Sequence, residues 1–214
     1  MVTIDGPAGA GKSTVARLLA DRLGWRFLDT GAMYRVVTLA ALREGVDLED
    51  AGALDRLAAG LDASFPPGLA LLGGEDVSAA IRDVAVTRFS RFIADCAPVR
   101  ARLVGWQRAF AESDDVVTEG RDQGTIVFPD AYRKFFVTAS DHERARRRHR
   151  ELVARGQDAT LEAVLADQRA RDARDAGRAI APMRAADDAE TVDTTGLSIE
   201  DVVELLHRKV RPAP

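Results

Sequence analysis

The residues Gly6-Pro7-Ala8-Gly9-Ala10-Gly11-Lys12-Ser13-Thr14 fit the pattern G-x-x-x-x-G-K-[ST]. Each residue type in that spacing has a chemical task. Glycines let consecutive backbone N–H groups turn inward around phosphate oxygens at the start of a helix. Lys12 is placed to reach the β and γ phosphates of a nucleoside triphosphate, and the Ser13 hydroxyl to ligate Mg²⁺. An ordinary glycine-rich turn needs none of these side chains. It also needs no strand before it and no helix after it. Here Val2-Thr3-Ile4 is a β-branched run suited to a buried strand, and Val15, Leu18, Leu19 and Leu23 recur on one helical face. Strand, loop and helix together predict binding of a nucleoside triphosphate.

A second set of chemical groups lies where later strands are expected to end. Arg26-Phe27-Leu28-Asp29 reads as a short strand leading into a turn, Thr30-Gly31-Ala32, and then a helix through Val36, Val37, Leu39, Ala40 and Leu42. Val116-Val117-Thr118 reads as a buried strand that empties into Glu119-Gly120-Arg121-Asp122. In open α/β sheets ligands bind at the carboxyl ends of strands. The alternative for Arg121-Asp122 is a simple strand-end ion pair. Arg171 and Asp175, four residues apart, also fit a solvated salt-bridged helix.

These groups must be carried by an alternating α/β chain. A helical stretch follows Asp47-Leu48 to about Leu61. Pro66-Pro67-Gly68 and Gly73-Gly74 then mark turns in a small antiparallel insert spanning about residues 63–77. Helices resume near Ser78, with Pro98 in the first turn of one of them. Lys134 to Thr138 and Thr191-Val192-Asp193 are further strands, and Asp193 is placed either near a bound base or as a cap with the threonines after it. Ser140-x-x-Glu143 has the spacing of a capping box opening an arginine-rich helix, and the chain turns near Gly156. Ile199, Val202, Val203, Leu206 and Val210 form the stripe of a closing helix. Alternation of strands and helices predicts a parallel sheet.

Composition narrows the class. At 214 residues with 46% hydrophobic and 30% charged residues, the chain suits one α/β domain with appended pieces. A net charge of −4 argues against a nucleic-acid surface, and no apolar stretch is long enough for a bilayer span. With a strand starting at residue 2, no signal peptide is expected, and the cytoplasm is the expected compartment. Cys96 is the one cysteine, so it forms no intrachain disulfide and reads as a small buried hydrophobe. Met33, Tyr34, Trp25 and Trp106 read as packing residues. The chain has no asparagine, which removes the N-K-x-D loop that a guanine-specific GTPase requires.

Four segments together, Asp29-Thr30-Gly31-Ala32-Met33-Tyr34-Arg35, Gly74-Glu75-Asp76-Val77-Ser78, Glu119-Gly120-Arg121-Asp122-Gln123-Gly124-Thr125 and Arg171-Asp172-Ala173-Arg174-Asp175, resemble bacterial cytidylate kinase, in family order over nearly the whole chain. The resemblance implies a three-layer P-loop α/β/α fold with a central parallel sheet. It implies a core at 1–30, 97–143 and 179–214, a monophosphate-binding region with the small insert at 31–96, and a mobile lid at about 144–178. The implied reaction transfers the γ-phosphoryl of ATP to CMP or dCMP, with Mg²⁺ as cofactor; a monomer is expected.

The same resemblance implies that Lys12, Arg121, Arg171 and Arg178 serve catalysis and that Gly6 to Thr14 bind ATP. Thr30, Arg35, Arg121 and Arg178 would hold the acceptor phosphate. Arg100 and Asp122 would read cytosine, and Arg171 and Asp175 would lie near the acceptor sugar and phosphate. The stretch from Ser90 to Arg100 is one residue longer than the family pattern, so no base-contacting serine is assigned. Of Arg144, Arg146, Arg147, Arg148 and Arg150, too many for one face, one or two are expected to close over ATP, with hinges near Arg155 and Ala176-Gly177. The competing readings are a P-loop kinase for another small acceptor, such as UMP, AMP or shikimate, and a nucleotide-binding regulator without rapid turnover.

The chemistry of two approaching phosphates supports an arginine-rich site independently, because planar guanidinium forks grip phosphate bidentately. An acceptor phosphate with a second pKa of about 6 is largely dianionic at neutral pH and needs no strong base. None of His142, His149 and His207 lies in a candidate acceptor motif. For cytosine, a carboxylate accepts from the exocyclic amine and a guanidinium donates to the ring acceptors, whereas uracil mismatches both contacts.

Overall fold

A computed structural model describes residues 1–154 and 156–211. In chain order the elements are β1 (Val2–Asp5), α1 (Lys12–Leu23), β2 (Arg26–Asp29), α2 (Thr30–Arg43), α3 (Ala51–Ala59), β3 (Ala63–Ser64), β4 (Leu71–Leu72), β5 (Glu75–Asp76), α4 (Val84–Asp95), α5 (Ala97–Phe110), β6 (Val116–Gly120), β7 (Arg133–Thr138), α6 (Asp141–Ala154), α7 (Leu161–Ala176), β8 (Glu190–Asp193) and α8 (Ile199–Val210). The main sheet runs in the order β2-β6-β1-β7-β8, and the pairs of β1 with β6 and β7, and of β7 with β8, are parallel. This is the expected α/β fold with a central parallel sheet. The chain divides into two compact units, Met1–Phe27 with the described residues from Asp115 onward, and Leu28–Asp114.

In the first unit β1 is buried along its whole length, as its β-branched run dictates for a central parallel strand. Val15, Leu19 and Leu23 of α1 and Val202, Val203, Leu206 and Val210 of α8 close one core with Val2, Ile4, Val117, Phe135 and Val137. Truncating a fully buried leucine such as Leu206 to alanine in a core of this kind costs about 2–5 kcal/mol. The start of α8 is fixed by a complete capping box between Ser198 and Asp201.

The box expected at Ser140 is only half formed. Ser140 Oγ accepts from the Glu143 N–H at 3.3 Å, but the Ser140 N–H donates to Thr195 Oγ1 at 2.9 Å, and Glu143 pairs with Arg147 instead. Thr195 in turn is held by Asp193 Oδ1 in a local turn, and the helix cap expected of Asp193 is supplied by Ser198 instead.

The second unit carries the predicted insert, with β3, β4 and β5 pairing antiparallel. Its core joins Val36 and Leu39 of α2 to Ala70, Val77, Ile81 and Val86. The expected turn at Thr30 is already helix, because Asp29 accepts from the Ala32 N–H at 2.9 Å and caps α2 one residue earlier. α5, assigned by sequence to the core, packs against α3 and α4 and goes with this unit. Val99 and Leu103 of α5 are buried.

Candidate active site

β1 ends at Asp5, and the loop from Gly6 leads directly into α1. Two glycines here are required by space. A Cβ on Gly6, where φ is +140°, would lie 2.0 Å from the Val137 carbonyl oxygen. One on Gly9, φ +76°, would lie 2.5 Å from Gln168 Nε2 and 3.2 Å from Arg144 Cβ. The loop is therefore packed tightly against β7, α6 and α7, all within the first unit.

Lys12, on the first turn of α1, is buried, and its Nζ donates to the Pro7 carbonyl at 2.7 Å across the loop. Burial, then the positive charges of Arg121 and Arg171, lower its pKa to about 7, against the pull of Glu119 and Asp5. Ser13 Oγ donates to Glu119 Oε1 at 3.1 Å. Glu119 is thereby a candidate site residue to which local spacing assigns no role. The available signal was a carboxylate ending the strand that pairs with β1, opposite Ile4.

Asp5 accepts from the Gln123 and Gly124 N–H groups at 2.9 and 2.8 Å. It thereby fixes the turn that carries Arg121 and Asp122, which a π-helical turn at Gln123–Val127 follows. Burial raises its pKa to about 6, with the two backbone hydrogen bonds opposing and Asp122 adding to the rise.

The arginines expected at the acceptor gather around one carboxylate. Arg121 Nε donates to Asp175 Oδ2 at 2.9 Å, and Arg178 Nη2 lies 2.8 Å from Asp175 Oδ1. Burial opposes the charge on Asp175, yet Arg121, Arg178 and then Arg171 outweigh it and hold its pKa below the usual carboxylate value. Lys12 thus feels two of the other three predicted catalytic cations, Arg121 and Arg171, and the last, Arg178, shares a partner with Arg121.

Thr30, Arg35 and Arg100 lie in the second unit. Thr30 is buried at the start of α2. Arg35 Nη2 stands 3.7 Å from Asp29 Oδ1, while its Nε is buried without a hydrogen-bond partner among the described residues. Arg100 is buried on α5 and donates to the Tyr34 hydroxyl at 3.0 Å, so Tyr34 does more than pack. The expected base-reading pair, Arg100 and Asp122, therefore belongs to different units.

Of the arginines on α6, two reach the phosphate loop. Arg144 donates to the Ala8 carbonyl at 2.8 Å, and Arg147 to the Ala10 carbonyl at 3.4 Å and to Thr194. Arg148 pairs with Glu151 in solvent, and Arg146 and Arg150 line a shallow surface cavity with His149 and Leu161. The hinge expected at Arg155 lies outside the described residues.

Among the described residues, no group of three or more His, Cys, Asp or Glu side chains is placed to hold a metal ion, and no helix is long and apolar enough to cross a membrane. The oxygen donors at Ser13 and Glu119 do suit Mg²⁺, which commonly binds through one or two protein oxygens together with substrate phosphates.

Solved structures share the fold. A Thermus thermophilus protein superposes with a TM-score of 0.50 at 23% identity over 100% of this chain and 97% of its own. An uncharacterized Eubacterium ventriosum protein gives 0.54 at 11% identity, covering 99% and 98%. Sequence relatives are far nearer. A protein of Stutzerimonas stutzeri named cytidylate kinase is 48% identical, covering 98% of this chain and 94% of its own length. One of Burkholderia thailandensis with the same name is 50% identical over 95% and 90%. The cytidylate kinase family profile matches residues 2–212. With this match over nearly the whole chain and relatives about half identical to it, the chain belongs to the cytidylate kinase family.

Proposed function

We propose that this protein transfers the γ-phosphoryl group of ATP to CMP or dCMP, giving ADP and CDP or dCDP. The observation that carries the reading is the joining of the phosphate loop to an arginine cluster within one unit: Lys12 is under the influence of Arg121 and Arg171, while Arg121 and Arg178 converge on Asp175. An acceptor phosphate dianion would replace the Asp175 carboxylate on those two guanidiniums. An acceptor oxygen then forms the new bond to the γ phosphorus as the bond to the β–γ bridging oxygen breaks, and ADP leaves. Lys12 and Arg171 balance charge on the transferring group, the main task of a protein in this chemistry.

No side chain need take a proton from a dianionic acceptor. Mg²⁺, when bound with ATP, neutralises phosphate charge. Ser13 would hold it, with Glu119 behind the serine hydroxyl. Asp122 and Arg100 would select cytosine by accepting from its amine and donating to its ring. The segment at about 144–178 would close over the substrates and exclude water. We place the protein in the cytoplasm, acting as a monomer.

The test is ADP formation from ATP with CMP, dCMP, UMP, AMP, GMP and dTMP offered separately. Rates led by CMP or dCMP are expected. An ATPase rate that no monophosphate changes would overturn the reading in favour of a nucleotide-binding regulator.

A further inference from the structure

One face of α7 touches both halves of the chemistry. Gln168, Asp172 and Asp175 recur at helical spacing on it. Gln168 Nε2 donates to the Arg144 carbonyl at 3.4 Å and packs over Gly9. Asp172 Oδ1 accepts from the Ala8 N–H at 3.3 Å, and its Oδ2 accepts from Arg144 Nη1, which also donates to the Ala8 carbonyl at 2.8 Å. The backbone of Ala8 is thus held at both its N–H and its C=O by one ion pair. Arg144 is itself buried and further tied to the Ala139 carbonyl and to Asp141. One turn beyond Asp172, Asp175 binds Arg121 and Arg178.

We infer that Asp172, through Arg144, is a positioning residue that couples the acceptor site to the ATP loop. The inference rests on the reading of ATP as donor and CMP as acceptor. A phosphate arriving at Arg121 and Arg178 competes with Asp175 for the same donors. A buried carboxylate that loses two guanidinium partners must shift toward water or new partners. Asp175 cannot move far without the adjoining helical turn, so Asp172 moves with it and the grip on Ala8 changes. Phosphates entering the loop from the ATP side strain the same grip. Whichever substrate binds first bears the cost of the shift and the second does not, so the two affinities rise together.

The experiment is calorimetric titration of a non-hydrolysable ATP analogue with and without saturating CMP, and the reciprocal titration. In the unmodified protein each ligand should tighten the other by about fivefold or more, the lower range of ordinary coupling. In Asp172→Asn that factor should fall to about one, with the Kd for CMP alone kept within about threefold, since Asp172 touches the loop and not the acceptor arginines. A residue that merely supports the fold would lower both affinities or the Tm and leave the ratio unchanged. If Asp172→Asn does not fold, Arg144→Lys keeps the charge but cannot span Ala8, Asp172 and Ala139 together, and should give the same loss. A factor of one in the unmodified protein, or an unchanged factor in the variant that folds, overturns the coupling. Absence of CMP binding altogether would instead refute the reading of the acceptor.

Discussion

Lys12 offers the most direct test of the electrostatics, through the protons that ATP binding should consume. The ammonium is buried, donates to the Pro7 carbonyl, and sits under the field of Arg121 and Arg171, which with burial brings its pKa to about 7. Phosphates beside it favour the charged form, so ATP should bind to the protonated lysine. At pH 8, about a tenth of the free protein carries that proton, and binding should take up about nine-tenths of a proton per ATP. The second phosphate pKa is about 6, so ATP itself contributes little at pH 8. Affinity should then fall about tenfold per pH unit above 7, until the pKa of the complex is reached. The assay is calorimetry at pH 8 in buffers of different ionisation enthalpy, whose slope gives the proton count. Lys12→Met should abolish the slope. A buffer-independent heat in the unmodified protein would mean that Lys12 is already charged in the free loop, and the argument from burial would fail.

Arg121→Ala should lower kcat/KM for CMP, dCMP and UMP alike by about 10–100-fold, the value of one charge-assisted contact, because a phosphate contact carries no base information. A loss confined to one base in steady-state kinetics would contradict it. Asp122→Asn should hurt CMP more than UMP, since an amide can donate toward the uracil O4 where a carboxylate cannot. An unchanged CMP to UMP ratio of kcat/KM would remove Asp122 from base recognition. Gly6→Ala should destabilise the protein by about 3 kcal/mol or more, because its Cβ would meet the Val137 carbonyl oxygen at 2.0 Å. Thermal unfolding at an unaltered Tm would show that β7 yields more easily than its burial suggests.

What could be read from the sequence was whatever depends on local spacing. Gly6 to Ser13 fixed the phosphate loop because strand, turn and helix are contiguous there. Pro66-Pro67-Gly68 and Gly73-Gly74 located the small insert because turn residues act where they stand. Partners distant along the chain were not legible. Asp175 binds Arg121 from 54 positions away, and the ordinary reading of Asp175 with Arg171 as a helical pair fits the sequence equally well. The Ser140 box misled for a related reason. Its spacing is correct, but Thr195, 55 residues later, occupies the backbone donor that Glu143 was expected to cap. Glu119 acquires its role only because β6 pairs with β1 and brings it to Ser13.

Asp5 and Asp175 show what kind of information is missing from the sequence. Both are aspartates with 4% of their surface exposed, and both sit at the edge of the site. Asp5 is compensated by two neutral backbone N–H groups, which do not cancel the cost of burying its charge, and its pKa rises to about 6. Asp175 is compensated by full positive charges, and its pKa falls. The consequences for stability have opposite sign. Asp5 binds more protons folded than unfolded, so its contribution is complete below about 3.8 and is lost as pH rises through about 6. Asp175 binds fewer, so its contribution is present above about 3.8 and is lost as pH falls through its lowered pKa. At neutral pH the fold therefore bears a cost at Asp5 to hold the Arg121-Asp122 turn in shape, while Asp175 keeps Arg121 and Arg178 together. A buried carboxylate that organises backbone and one that stands where a substrate anion would bind are the same letter in the sequence, and only their partners tell them apart.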